Sequence, residues 1–218
     1  GETDITLGWE PQYVLIKSIT SGSGGWFIWD STRGWQNGNI GNNNDPYFYA
    51  DANSAEAGFN GVDVGFPTAT GFRVESFGGG TYIYMAVRAE MIKEPEAGSE
   101  VFSIIAAGGT GSALVPSYAT SHAVDLAFMK NMSGAAPNFL VPRLTQGKYL
   151  DTVTSAAEAT VGTFVFNYSY GWYASTTNYP SWMWKRAKGY MDSVCFTGNG
   201  TAGRTVAHSL GVVPEMMW

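Results

Sequence analysis

The chain has 218 residues, of which 15% are aromatic and 14% are charged, so it has ample apolar material for a packed core and lacks the composition of a disordered protein. Its formal net charge is −6 with only 12 lysines and arginines, which argues against binding to nucleic acid or to anionic membranes. No apolar run reaches the roughly 18–20 residues needed for membrane insertion, and the single cysteine, Cys195, excludes an internal disulfide.

Short apolar segments interrupted by turn residues dominate the chain. Twenty-eight glycines and nine prolines break the apolar runs, as is typical of strands joined by tight turns. In chain order, the β-branched and aromatic segments predict strands at residues 12–18, 25–30, 71–77, 81–90, 100–107, 123–130, 161–168, 181–186, 191–197 and 204–207. Residues 82–87 are apolar on both faces, which predicts a central strand. The alanine-rich segments 53–58 and 154–159 are the only candidate helical turns.

The chain also resembles itself. Residues 7–15 and 210–218 align without a gap, because each has a leucine, a glycine and a proline at the same spacing before an apolar run. A weaker copy of this turn and strand lies at residues 122–130 when Lys17 is set against Lys130. These matches indicate a repeated unit.

Two further matches follow in the same order. Residues 53–58 resemble residues 154–159, and Met85 with the four residues after it resembles Met183 with the four residues after it. A repeated order of short matches is less probable by chance than any one of them.

The repeats predict the domain organisation. Residues 1–93 form the first repeat, with an equivalent opening strand expected before residue 1. Residues 94–98 are the linker, because they are charged and contain a proline. Residues 99–190 form a second, divergent repeat. Residues 191–218 either open a third repeat or complete the second.

The C-terminal repeat carries a resemblance to a known family. Residues 184–218 contain a Thr-Gly-Asn-Gly turn, then His-Ser-Leu-Gly, then a proline and an apolar strand. This run resembles a repeat of bacteriophage tail-fibre and other virion structural proteins. The first repeat is similar to the same family at residues 7–11, 26–33 and 80–86, whereas residues 108–180 are a divergent copy that lacks the Trp-Asp-Ser-Thr-Arg segment.

The resemblance implies an all-β fold of tandem antiparallel β-sandwich domains, of jelly-roll, concanavalin-like or laminin-G-like type. It further implies a location at a virion surface or outside the cell, and a structural or host-attachment role. Homo-oligomeric assembly, contacts with other virion proteins and binding to host-cell surface glycans are expected. The residues themselves leave two alternatives open, which are a carbohydrate-active enzyme or its accessory binding domain, and a bacterial surface adhesin.

The longest polar stretch, residues 37–46, is a candidate ligand-binding loop. Its amide and carboxylate oxygens could ligate calcium or bond sugar hydroxyls, although Asx-rich sequences also form plain surface turns. Aromatic residues flank the loop, and an exposed ring can stack on the apolar face of a sugar. The predicted ligand-binding residues are Trp35, Asn43, Asp45, Tyr47 and Tyr49.

No catalytic residue set emerges from the sequence. The two histidines, His122 and His208, together with Cys195 do not supply the ligands of a zinc site. There is no Gly-x-Ser-x-Gly nucleophile turn, and the acidic residues scatter over turns. The sequence therefore predicts a non-catalytic protein with no catalytic residues, no metal centre and no cofactor other than the calcium considered above.

Overall fold

The computed structural model describes residues 2–20, 25–31, 35, 46–57, 64–75, 77–88, 94–111, 115–132, 134, 137–145, 148–160, 164–166, 168–175 and 178–218. The strands within these residues are β1 (Thr3–Thr6), β2 (Pro11–Ser18), β3 (Trp26–Asp30), β4 (Phe48–Tyr49), β5 (Gly65–Thr68), β6 (Gly71–Val74), β7 (Tyr82–Arg88), β8 (Phe102–Ile105), β9 (Tyr118–Ala119), β10 (Leu126–Met129), β11 (Phe139–Pro142), β12 (Lys148–Asp151), β13 (Ala159–Thr160), β14 (Phe164–Val165), β15 (Gly171–Ala174) and β16 (Ser181–Trp184). Every strand pair is antiparallel, which confirms the predicted all-β fold.

Strands β1–β7, here called the first sandwich, form two sheets around one apolar cluster. The sheet orders are β4-β3-β2-β7 and β1-β6-β5. Strand β2 shows why the sheets face each other, because Val14 and Ile16 are buried and alternate with more exposed residues, as a two-residue period requires. Trp29 and Phe72 belong to the same cluster from opposite sheets.

Strands β8–β16, here called the second sandwich, enclose a separate cluster. Their sheet orders are β13-β12-β11-β10-β16-β8 and β14-β15-β9. Ala127, Val141 and Met183 contribute to this cluster from the larger sheet, and Trp172 contributes from the smaller one. The paired strands of all four sheets remain within one sandwich or the other.

The two sandwiches share one strand order. The run β4-β3-β2-β7 corresponds to β12-β11-β10-β16, and β1-β6-β5 corresponds to β9-β15-β14. The registers agree as well. Val14 pairs with Trp29 and Ala86 in the first sandwich, as Ala127 pairs with Val141 and Met183 in the second.

This register corrects one of the sequence matches. Met183 corresponds to Ala86 and not to Met85, because a shift of one residue would turn the side chain to the other face of the sheet. The match of Lys17 with Lys130 agrees with the register, since both residues follow the corresponding buried positions, Ile16 and Met129.

One glycine is required at the same place in each sandwich. A Cβ atom on Gly71 would lie 1.9 Å from the carbonyl oxygen of Ile5, and a Cβ atom on Gly171 would lie 2.2 Å from that of Tyr118. The turn before each glycine is also alike, because the carbonyl oxygens of Thr70 and Tyr170 accept backbone hydrogen bonds from the residues that follow β1 and β9.

Three predictions about local structure are wrong. The alanine-rich segments are not helical in their described part. Ala57 instead forms a β-bridge with Tyr47, and Ala159 pairs with Tyr149. Segments this short form too few hydrogen bonds to offset the cost of helix nucleation. The only 3-10 turns with complete described bounds are at Gly98–Glu100 and Arg143–Thr145. Residues 191–197 and 204–207 are not strands.

The position of strand β7 is the third wrong prediction. It pairs only with β2 among the described strands, so it is an edge strand and not the central strand that its apolar composition predicted.

In the described part of the chain, no helix is long and apolar enough to cross a membrane.

Candidate functional site

The predicted aromatic platform is mainly part of the core. Trp35 is only 2% exposed and Tyr47 only 6%, so the prediction that their rings are exposed is wrong. Trp35 Nε1 donates a hydrogen bond to the carbonyl oxygen of Gly65 at 2.8 Å, and its ring stacks on Trp29 with centroids 5.9 Å apart. The sequence of the polar loop does not indicate whether the flanking rings face the core or the solvent.

Tyr49 is the only member of the predicted set with a half-buried ring. Its ring centroid lies 5.2 Å from that of Tyr47. The pKa of Tyr47 is raised to about 12, mainly by burial and secondly by a hydrogen bond with Tyr49. Asn43 and Asp45, together with most of the proposed calcium loop, lie outside the described residues. The structure therefore does not assemble the predicted set into one described site.

A group of four charged residues lies instead where the two sandwiches meet. Glu10 directly precedes β2 and Asp125 directly precedes β10, whereas Arg143 follows β11 and Arg186 lies two residues after β16. Both carboxylates are buried and both guanidinium groups are largely buried. These four residues are called the junction cluster below.

Each carboxylate of the junction cluster contacts both arginines. Arg143 Nη1 donates to Glu10 Oε1 at 2.8 Å, and Arg186 Nη2 donates to Glu10 Oε2 at 2.7 Å. Arg143 Nε donates to Asp125 Oδ1 at 2.8 Å, and the backbone nitrogen of Arg186 donates to Asp125 Oδ2 at 2.7 Å. Glu10 thus joins the first sandwich to two strand ends of the second.

The electrostatics of the cluster favour the charged forms of Asp125 and Arg143. Burial alone would raise the pKa of Asp125, but the charges of Arg143 and Arg186 and their hydrogen bonds outweigh burial and lower it. Burial would likewise lower the pKa of Arg143, but Asp125 and Glu10 raise it. The cluster contains two positive and two negative charges, so their mutual attraction offsets the free-energy cost of removing them from water.

Sequence reasoning missed the junction cluster. The partners of Glu10 lie 133 and 176 residues further along the chain, which no local pattern connects. The available signal was that each charged residue lies beside the end of an apolar strand segment, in a chain with few charges.

A cleft of about 340 Å³ opens beside the cluster. Glu10 and Arg186 line it together with Arg88 at the end of β7 and residues of the C-terminal segment. Asp192 holds that segment in place, because its Oδ2 accepts a hydrogen bond from the backbone nitrogen of Ser209 at 2.7 Å and its Oδ1 accepts one from that of Ser193 at 2.9 Å.

One contact between a serine and a histidine lies among the described residues. Ser103 Oγ lies 3.2 Å from His122 Nε2, and His122 Nδ1 lies 3.0 Å from the carbonyl oxygen of Ala123. A carbonyl oxygen can only accept, so Nδ1 carries the proton and Nε2 accepts from the serine. Burial lowers the pKa of His122. This pair ties β8 to the segment that leads into β10, and neither residue lines the cleft.

No metal-binding arrangement is found in the part of the chain that the structure describes, where no group of three histidine, cysteine, aspartate or glutamate side chains comes together. The junction cluster also offers no free carboxylate pair, because arginines contact the oxygens of Glu10 and Asp125.

Comparison with known proteins gives one result for the first sandwich. No curated protein and no solved structure matches the chain. Residues 2–91, which contain β1 to β7, are similar to a family described as a domain of unknown function, DUF7483.

Proposed function

We propose that the chain is a non-catalytic part of a virion surface protein, in a phage tail fibre or a related structure, with a structural or host-attachment role. The resemblance of residues 184–218 to tail-fibre repeats supports the location. The shared strand order of the two sandwiches supports a protein built by repeating one module.

The junction cluster is the observation that carries the structural part of this proposal. A linker alone would leave two sandwiches free to reorient, whereas Glu10 contacts arginines from two strand ends of the neighbouring sandwich. Buried charges stay favourable only while each keeps its partners, so the contact holds one relative orientation. Modules in a fixed orientation can space and aim weak binding surfaces so that several act together.

The geometry supports display over carbohydrate cleavage. A glycosidase needs two carboxyl groups about 5–10 Å apart that are free to act on the sugar. Glu10, the buried carboxylate of the cleft, has its two oxygens contacted by Arg143 and Arg186. It is therefore held as a structural group.

Immunogold electron microscopy tests the proposal. Antibodies raised against the purified chain should label the fibres of virions prepared from the source of the sequence, and pre-incubation with the chain should abolish the label. Gold on bacterial envelopes in phage-free cultures would contradict the proposal and support an adhesin. Release of reducing sugar from host polysaccharide by the purified chain would contradict it in favour of an enzyme.

A further inference from the structure

The cleft beside the junction cluster has a positively charged lining. Three arginines and two acidic residues line it, whereas the chain as a whole has a formal net charge of −6. The arginines are Arg88, Arg186 and Arg204, and the acidic residues are Glu10 and Asp192. Because field lines concentrate in a cleft, an excess of positive charge there attracts anions even to an acidic protein.

The two carboxylates of the cleft already have partners. Glu10 accepts hydrogen bonds from two arginines of the junction cluster, and Asp192 accepts them from two backbone nitrogen atoms. Among the described residues, no carboxylate forms an ion pair with Arg88 or Arg204. The charged groups of the cleft that remain for a ligand are therefore cationic donors.

The guanidinium group of Arg204 is held in place before any ligand binds. Its Cζ atom lies 5.8 Å from the centroid of the Phe196 ring, and its Nη1 donates a hydrogen bond to the carbonyl oxygen of Thr197. A side chain that is already oriented loses less conformational entropy when it binds. The planar group also presents paired N–H donors, which match the two oxygens of a carboxylate.

His208 adds a second oriented donor to the cleft. Its Nδ1 accepts a hydrogen bond from the backbone nitrogen of Leu210 at 3.3 Å. A backbone nitrogen can only donate, so the proton of the neutral ring is on Nε2. The Nε2–H group of this exposed side chain can therefore donate to an anion in the cleft.

The rest of the lining suits a sugar. Four hydroxyl groups line the cleft, from Thr70, Ser193, Thr205 and Ser209. Hydroxyl groups both donate to and accept from the hydroxyls of a sugar. Two aromatic rings also line the cleft, from the half-buried Trp9 and from Phe196, which is 63% exposed. An exposed ring can stack on the apolar face of a sugar.

We propose that this cleft binds a saccharide that carries a carboxylate. The carboxylate lies against Arg204 and His208, Arg88 adds a further positive charge, and the sugar ring lies against Phe196. The single net positive charge of the lining matches one carboxylate better than a doubly charged phosphate. The volume of about 340 Å³ is near the lower end of the range of ligand sites, about 300–1,000 Å³, and so suits one sugar unit.

The inference gives the host-attachment role a class of ligand and to that extent rests on the proposed function. The two are tested separately, because sugar binding is measured on the purified chain whereas immunogold labelling locates the chain on a virion. Labelled fibres from a chain that binds no acidic sugar would overturn this inference and leave the proposed location in place.

Nuclear magnetic resonance titration of the isotope-labelled full chain tests the proposal. The probe is D-glucuronate, with D-glucose as the matched neutral sugar and acetate as a carboxylate without a sugar, all at equal ionic strength. Glucuronate should shift the backbone amide signals of residues 192–209 saturably and bind at least tenfold more tightly than glucose or acetate. Absence of a saturable shift at about 50 mM glucuronate, above the millimolar range of weak binding, would overturn the proposal. Equal affinities for acetate and glucuronate would also overturn it.

Matched variants connect the binding to the cleft. Arg204→Gln should weaken glucuronate binding about tenfold or more, because it removes a charge-assisted contact. Lys148→Gln is the control, since Lys148 is exposed, pairs with Glu158 at 2.9 Å and does not line the cleft. Unchanged affinity in Arg204→Gln, or an equal loss in both variants, would overturn the proposal. If Arg204→Gln alters amide signals beyond residues 192–209, Arg88→Gln provides the same comparison with the same two outcomes.

Discussion

Glu10, which precedes β2 of the first sandwich, accepts a hydrogen bond at 2.7 Å from Arg186, which follows β16 of the second. Its other carboxylate oxygen accepts one from Arg143 at 2.8 Å. This pair of contacts joins two separately packed apolar clusters through a buried and charge-compensated surface.

Removing the charge of Glu10 should destabilise the chain and uncouple the sandwiches. Glu10→Gln leaves two largely buried arginines with only Asp125 as a buried acidic partner, and breaking such a cluster costs about 3–5 kcal/mol. Urea denaturation followed by tryptophan fluorescence should give one transition for the parent chain and two for the variant. Glu2→Gln is the matched control, because Glu2 makes an exposed ion pair with Arg73 at 3.5 Å. Unchanged midpoints in Glu10→Gln would contradict the role assigned to the cluster.

Alanine at either of the two matching glycines, Gly71 or Gly171, should destabilise the chain. Gly71→Ala and Gly171→Ala each place a Cβ atom within 2.2 Å of a backbone carbonyl oxygen, so a strand must move. Overpacking of this kind costs about 1–3 kcal/mol or more. Gly79→Ala is the control, since nothing lies within 4 Å of its Cβ position. Thermal melts of the three variants measure the effect, and equal melting temperatures would show that the two glycines are not required.

Stability should fall in two separate steps as the pH is lowered. Burial lowers the pKa of His122 in the folded chain below that of the unfolded chain, so its neutral form stabilises the fold above about pH 6.5 and this contribution is lost as the pH falls further. The pKa of Asp125 is also lowered on folding, so its contribution persists to lower pH and is lost below about pH 4.

Urea midpoints measured from pH 8 to pH 3 check this order. His122→Gln should remove the first step and leave the second in place. A variant that keeps the full loss of stability between pH 7 and pH 5 would show that another group causes it.

Trp35→Phe should affect stability and not ligand binding. The change removes the hydrogen bond from the buried indole to Gly65 and leaves that carbonyl oxygen without its donor, which costs about 1–3 kcal/mol. Chemical denaturation measures the loss. Glycan-array binding at a chain concentration where the variant remains folded should match that of the parent, and a selective loss of glycan binding would restore Trp35 as a ligand-binding residue.

The fold was predictable where a single strand is a run of apolar, β-branched or aromatic residues. The apolar and β-branched residues at 12–18 predicted a strand, and the structure confirms it as β2. Strand β5 was missed because Gly65 and Pro67 read as turn residues, and β9 because two residues are too few for a periodic signal. The edge position of β7 was not predictable, since its apolar composition resembles that of a buried strand.

The site was less predictable than the fold. Aromatic residues beside a polar loop can point to solvent or to the core, and only packing against Trp29 and the bond to Gly65 assign Trp35 to the core. The junction cluster depends on contacts between residues more than 130 positions apart. Such contacts arise from the tertiary arrangement, so they produce no recognisable spacing pattern in the sequence.

The fixed orientation of the two sandwiches is tested most directly by a distance distribution in solution. Spin labels at Ile19→Cys and Val153→Cys, two exposed positions in different sandwiches, can be measured by double electron–electron resonance in a Cys195→Ser background. The junction cluster predicts one narrow distribution in this chain and a broad one when Glu10→Gln is added. A broad distribution with Glu10 intact, or a narrow one that Glu10→Gln leaves unchanged, would contradict the account.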